Sequence, residues 1–156
     1  MKTLSIICVI ATLLFSCYKE PVTHYEAHLT NRTSVAIIIV PFKNGIASQD
    51  RTVSIPPGGT VQIAKGFDRG LVENAGFVSE ELHGDSLQVV FDNLYTCSHY
   101  INPGSGSAPK NYSYTSTRNL GNYLSYQWTQ TKPSKNNWHN RYDYDFTEAD
   151  YQFAKQ

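Results

Sequence analysis

The stretch Val35-Ala36-Ile37-Ile38-Ile39-Val40-Pro41 decides the fold class. All of Val35 to Val40 except Ala36 is β-branched, stiff at χ1 and suited to a pleated surface. The run is apolar without alternation and too short for a buried helix, as expected of a central strand covered on both faces. Pro41, which has no N–H to give a ladder, closes it. Upstream, Thr23 to Asn31 sets Tyr25, Ala27 and Leu29 against Glu26, His28 and Thr30, the pattern of a half-buried strand. Downstream, Lys43-Asn44-Gly45 carries the Asn-Gly hairpin signal. Arg51 to Ile55 and Thr60 to Ala64 flank a second turn, Pro56-Pro57-Gly58-Gly59.

Further along, Gly66-Phe67-Asp68-Arg69-Gly70 reads as a glycine-framed loop, and residues 76–81 as a short strand or an irregular link. Ser86 to Phe91 is a strand, and residues 102–109, rich in Gly, Pro, Ser and Ala, a flexible loop. Tyr112 to Thr117, Tyr123 to Thr129 and Arg141 to Phe146 alternate aromatic with polar, placing Tyr142, Tyr144 and Phe146 on one face. Thr147 with Asp150 three residues later forms a capping-box pattern that opens a short helix, with Tyr151 and Ala154 inward. The expected architecture is all-β. Residues 23–156 form a single immunoglobulin-like β-sandwich of seven to eight short antiparallel strands with a short C-terminal helix, and a small barrel is the alternative.

The N-terminus carries a different signal. Lys2 precedes an apolar stretch from Leu4 to Phe15, of secretory-signal length and too short to span a bilayer. It ends in Leu14-Phe15-Ser16-Cys17, which resembles the lipobox of bacterial lipoproteins. That resemblance implies that residues 1–16 are a signal peptide, that Cys17 is acylated and becomes the new N-terminus, and that residues 17–22 tether the domain to the membrane. Diacylation would supply the two hydrophobic signals that stable anchoring requires. Tyr18 stands where an aspartate would mark inner-membrane retention in proteobacterial lipoproteins, so the resemblance implies the outer membrane, on its periplasmic face or at the cell surface.

Without residues 1–16 the chain keeps 12 basic and 13 acidic residues, since only Lys2 is lost. A balance near zero argues against nucleic acid as a partner and against an electrostatic membrane patch. Cys97 is then the one cysteine besides the anchor, which leaves no internal disulfide. In an oxidising compartment such a thiol is expected to be buried.

Catalytic patterns are weighed by their context. Gly84-Asp85-Ser86-Leu87 spells the block of the GDSL hydrolases, but here it precedes a strand, whereas the family's block follows one and opens a helix. Asp143 and Asp145 lie at the separation of a glycosidase pair, about 6.5 Å by strand rise. Opposite an aromatic face, they read more simply as a solvated strand surface. Glu80, Glu81, His83 and Asp85 lack the spacing of a calcium loop and the nitrogen or sulfur donors of a zinc site. His24 and His28 share a strand face and offer at most a two-histidine surface site. Asn31-Arg32-Thr33 matches a glycosylation sequon. No metal or other cofactor is called for.

The aromatic load is the least trivial feature. Tyr95, Tyr100, Tyr112, Tyr114, Tyr123, Tyr126, Tyr142, Tyr144 and Tyr151 crowd the second half with Trp128 and Trp138. Such rings suit strands, and equally suit stacking on sugars or on protein surfaces. Trp138 sits in a polar, loop-like segment, residues 132–140, as a core plug or an exposed binding residue. The blocks Ala64 to Gly70, Val89 to Asn93, Tyr114 to Leu120 and Tyr144 to Tyr151, taken with the lipobox, resemble small lipoproteins of Bacteroidota with no established function. Nothing catalytic is implied by that resemblance. Within these blocks, Asp68 with Arg69, and Arg118 with Asn119, are candidates for structural locks or for ligand contact. The expected role is non-enzymatic binding of an envelope protein or a glycan, with Trp128, Trp138, Tyr126, Arg118, Asp68 and Arg69 as candidate contacts. The alternatives are a hydrolase using the carboxylates or Ser86, and a purely structural envelope component.

Overall fold

A computed structural model describes residues 20–71, 84–101 and 108–156. Cys17, the candidate strand at 76–81, Glu80, Glu81 and His83 lie outside the described residues, as does most of the loop at 102–109. The described chain is mostly β, in two sheets with one short C-terminal helix.

Ten strands occur among the described residues: β1 (Val22–Asn31), β2 (Ile37–Lys43), β3 (Ile46–Ala47), β4 (Val53–Ile55), β5 (Thr60–Arg69), β6 (Ser86–Phe91), β7 (Tyr95–Tyr100), β8 (Asn111–Tyr112), β9 (Gln127–Ser134) and β10 (Asn137–Phe146). The helix α1 spans Glu148–Lys155. One sheet runs β5-β1-β10-β9, and the other β3-β2-β6-β7-β8 with β4 also on β2. The core run behaves as its composition demands. Ile37 and Ile39 are fully buried in β2 between β4 and β6. Asn44 and Gly45, both at positive φ, make the tight turn into β3.

The pairing differs from an all-antiparallel expectation. β1 and β10 pair in parallel at the centre of the four-stranded sheet, with Leu29 opposite Tyr144, and β7 pairs β8 in parallel. A parallel pair needs a long connection, and here nearly the whole chain separates β1 from β10. No local sequence pattern reports such a contact. Both sheets feed one hydrophobic cluster that includes Leu29, Tyr144 and Phe146 from the first and Ile39, Val89 and Phe91 from the second. Phe91 meets Phe146 edge-on at 6.3 Å. Deleting a buried phenyl ring from such a cluster costs about 3–5 kcal/mol.

Five segments differ from their sequence reading. Pro41 does not close its strand but lies inside β2 opposite Leu87, with its carbonyl, and so the side where its N–H is missing, turned to Ser48 rather than to the β6 ladder. Gly66 to Arg69 continues β5 rather than looping out. The glycine is there because the Tyr25 ring crosses it, and a Cβ would overlap that ring. Tyr112 to Thr117 gives only the two-residue β8 before turns take over, and Tyr123–Ser125 is a single 3-10 turn ahead of β9. The polar stretch at 132–140 is a hairpin closing β9 onto β10, so Trp138 is a strand residue. Lys and Asn suggest loop, but edge strands take polar residues freely.

Candidate functional site

Two places gather the side chains that could do something. The first is the end of the four-stranded sheet. In β10, Asn140, Tyr142, Tyr144 and Phe146 are buried, and the residues between them face out. Trp128 lies opposite Tyr142 and Gln130 opposite Asn140, so these residues of the edge strand share the sheet's inner face. Yet all eight residues of β9 are exposed. The strand overhangs the core, and Trp128 remains 45 % exposed. Beside it Tyr123, Leu124, Tyr126 and Tyr142 complete an aromatic cleft of about 220 Å³. Burial pushes the Tyr126 phenol well above its usual range, so it stays un-ionised, and its hydroxyl donates to the Leu120 carbonyl at 2.9 Å. Further along the same face, Lys132 sits over the Trp138 ring at 4.5 Å, and Gln130 donates to buried Asn140 at 2.9 Å. Trp138 and Tyr142 are four residues apart, about 13 Å of strand.

The second place is the corner at Arg118 and Asn119. Asp150, 3 % exposed, accepts from the Thr147 N–H and hydroxyl, from the Tyr112 hydroxyl, and from Nε and Nη2 of Arg118. Arg118 also donates to the Asp145 carbonyl at 2.8 Å and lies 4.8 Å from the Tyr144 ring centre, whose hydroxyl donates back to the Arg118 carbonyl. Asn119, fully buried, gives its amide protons to the carbonyls of Tyr100, Tyr112 and Ser113 and accepts from the Gly121 N–H. Next to it, the Leu120 N–H donates to Nδ1 of His99 at 2.9 Å. Burial lowers the His99 pKa to about 3, so the ring is neutral and serves as an acceptor. Asp150, Asn119 and His99 are buried and bonded within this corner, and Arg118 spends Nε and Nη2 on it, which suits a lock between chain segments better than a ligand site.

The six candidate contacts therefore divide. Trp128, Tyr126 and Trp138 share one face of the hairpin end. Asp68 lies on that face too, opposite Thr23, which in turn pairs with Trp138. Arg69 pairs with Val22 and points to the other face, so strand geometry works against a local Asp68–Arg69 ion pair. Arg118 belongs to the lock. What the sequence did not reveal is the role of Asp150, visible only as a capping residue, and the cleft contribution of Leu124.

The candidate catalytic groups are spread apart. Asp143 bonds Arg141, and Asp145 bonds Arg32 at 2.6 Å. Both lie on the outer face, away from the buried aromatics, as a solvated strand surface requires. Ser86 opens β6 opposite Tyr100, beside Asp85 at 3.4 Å. Cys97 is 1 % exposed and its thiol is pushed up to about 12, chiefly by burial. His24 lies tilted against Phe67 with ring centres 6.0 Å apart, while His28 lies 3.9 Å from Asp143. Among the described residues, no group of three or more His, Cys, Asp or Glu is arranged to hold a metal. Asn31 of the sequon is fully buried and spends its amide on the Val35 and Ile55 carbonyls, so it is a bracket rather than an acceptor for sugar. A second hollow, about 260 Å³, is bounded among the described residues by Gln88, Thr96, Ser98, Ala108, Pro109 and Lys110, none of which is a carboxylate or imidazole.

No family model matches this chain, and neither a curated protein nor a solved structure matches it.

Proposed function

We propose that this is a lipid-anchored protein of the bacterial cell envelope whose β domain binds a partner without chemistry, and that the two sheets form a sandwich of immunoglobulin-like kind. The observation that carries the binding reading is the exposed aromatic cleft around Trp128, on a strand that overhangs the core. A solvent-exposed tryptophan held rigidly by a sheet is poor use of a large apolar ring unless something covers it. The apolar segment ending at Cys17 supports an anchor in the outer membrane, as a small uncharacterised lipoprotein of Bacteroidota would have. The ligand is an envelope protein or a glycan, and neither nucleic acid nor a cofactor has a part.

Against the hydrolase alternative stand the pairing of Asp143 and Asp145 with arginines, the hydrogen bond of Ser86 to Asp85, and the commitment of buried His99 Nδ1 to the Leu120 N–H. A purely structural component would have no use for an open cleft. The test is crosslinking and co-purification of the full lipoprotein from its own cells, with Cys17→Ala as the release control. A saturable partner lost on mutating Trp128, together with lipid label on Cys17, is the expected result. Turnover of an ester, peptide or glycoside that disappears with Ser86→Ala or Asp143→Asn would overturn it.

A further inference from the structure

The hairpin that carries the cleft differs in charge from the rest of the chain. Residues 127–142 hold Lys132, Lys135 and Arg141 and not one Asp or Glu, although the whole chain has 13 of each sign. Arg141 is spent on the outer face, on Asp143 and Glu26. Lys132 is not: its ammonium lies over Trp138, on the same face as the cleft. That face thus presents, in order along the strands, Trp128 opposite Tyr142, the amide of Gln130 donating to buried Asn140, and the cation of Lys132 on Trp138. Aromatic planes, then planar amides, then a positive charge, along about 13 Å of open strip, is a periodic and shallow arrangement.

We infer that this face is a platform for an acidic glycan, with sugar rings stacked on Trp128 and Tyr123, hydroxyls bonded at Gln130, and a carboxylate paired with Lys132. The inference rests on the binding reading above and names its ligand class. Flat rings receive the apolar C–H face of a pyranose, and an amide matches neighbouring hydroxyls by offering a donor and an acceptor side by side. On the hairpin itself the positive charge of Lys132 has no carboxylate beside it, Asp68 of the same face lying two strands from Trp138 across Thr23, and this selects a carboxylate-bearing chain over a neutral one at that end. A peptide is the weaker fit. Adding a strand to β9 needs its free backbone edge, and that edge carries Lys132, Pro133 and a register shift between Asn137 and His139, the devices by which sheet edges refuse a neighbour.

The test is titration of the full-length protein in detergent micelles with oligogalacturonate, oligoalginate and oligohyaluronate, each read by tryptophan fluorescence and calorimetry. Methyl-esterified oligogalacturonate, the same backbone without charge, is the neutral probe. Saturable binding to at least one acidic chain is expected, weakened roughly tenfold or more by Trp128→Ala and about two- to fivefold by Lys132→Gln. Because Trp128→Ala keeps every charge, acidic binding that survives it is mere polyanion attraction and overturns the inference. Equal affinity for the esterified chain overturns the acidic class while leaving a glycan in place. If no glycan binds but a protein crosslinks through the Trp128 face, the glycan inference falls and the binding reading stands. If neither binds, both fall.

Discussion

The Arg118 corner and the β9–β10 hairpin are built from much the same residue types, yet one is closed and the other open. At the corner, Tyr112, Tyr144, Arg118, Asn119 and Asp150 turn their polar groups on one another, and the aromatic rings fill the space behind. On the hairpin, Trp128, Gln130 and Lys132 are exposed, as is Tyr123 in the turn that leads into β9. The corner has a carboxylate, Asp150, that residues 127–142 of the hairpin lack, and the two differ as much in what stands opposite them. The corner is packed between α1 and the ends of β7, β8 and β10, whereas β9 has a neighbour on one edge only. Tyrosines and amides stabilise when enclosed and recognise when exposed. If this contrast is correct, mutations at the two places should act on different observables.

The largest effect on stability is expected at Asp150. Asp150→Ala removes the acceptor of five bonds and leaves the Arg118 guanidinium without its carboxylate. Loss of one partner of a buried pair costs about 3–5 kcal/mol, and since the Arg118 side chain keeps 35 % of its surface in water, the lower end applies. Urea denaturation would show the midpoint fall while the slope holds. A change well under 1 kcal/mol would mean that the corner is no lock, and the comparison would lose one of its sides.

A second expectation concerns pH. His99 has a pKa lowered from 6.5 to about 3 by burial, so the unfolded chain binds a proton there that the folded chain refuses. The stability due to the neutral ring is present above pH 6.5 and is lost as pH falls toward 3, on the order of a few kcal/mol over that window. His99→Asn, which can still accept from the Leu120 N–H, should flatten that limb of the stability curve relative to the parent. An unchanged limb would remove His99 from the lock.

How much of this was legible in the chain follows from the range of the interactions. The central strand around Ile37–Val40, the Asn44-Gly45 turn, the Tyr142/Tyr144/Phe146 face and the Thr147–Asp150 cap are local patterns that stand as their residues suggest, although the strand starts at Ile37 and runs on through Pro41 to Lys43. The parallel β1–β10 pairing and the grip of Asp150 on Arg118 join residues far apart in sequence, which no period reports. Gly66 looked like a loop glycine because the reason for it, the Tyr25 ring, belongs to another strand. The site was half visible. Trp128, Tyr126 and Trp138 stood out as aromatics, but only the overhang of β9 separates Trp128, which is open, from Tyr126, which is 7 % exposed.

A third experiment compares reactivity across the two sheets. Cys97, on β7 beside the corner, is buried with its thiol pushed up to about 12, so almost no thiolate exists near neutrality. At pH 8 an aromatic disulfide reagent should leave Cys97 unmodified in the folded protein and label it fully in urea, with the site confirmed by mass spectrometry. Rapid labelling without denaturant would mean that the corner opens, and would place it with the mobile parts of the molecule.

The smallest effect on stability, and the sharpest separation of the two regions, is expected at Trp128. Nearly half of its surface is in water, and it lines the cleft at the margin of the core without belonging to the buried cluster. Surface substitutions away from core, caps and buried bonds stay within about 0.5 kcal/mol, and a half-exposed ring adds somewhat to that, so Trp128→Ala should cost under about 1 kcal/mol in a urea melt. The same substitution is the one that should abolish partner capture. A residue whose loss scarcely alters folding but removes binding is held for recognition. A Trp128→Ala protein destabilised as severely as Asp150→Ala would show instead that the hairpin braces the fold as the corner does, and the open cleft would then be an incidental hollow in a structural element.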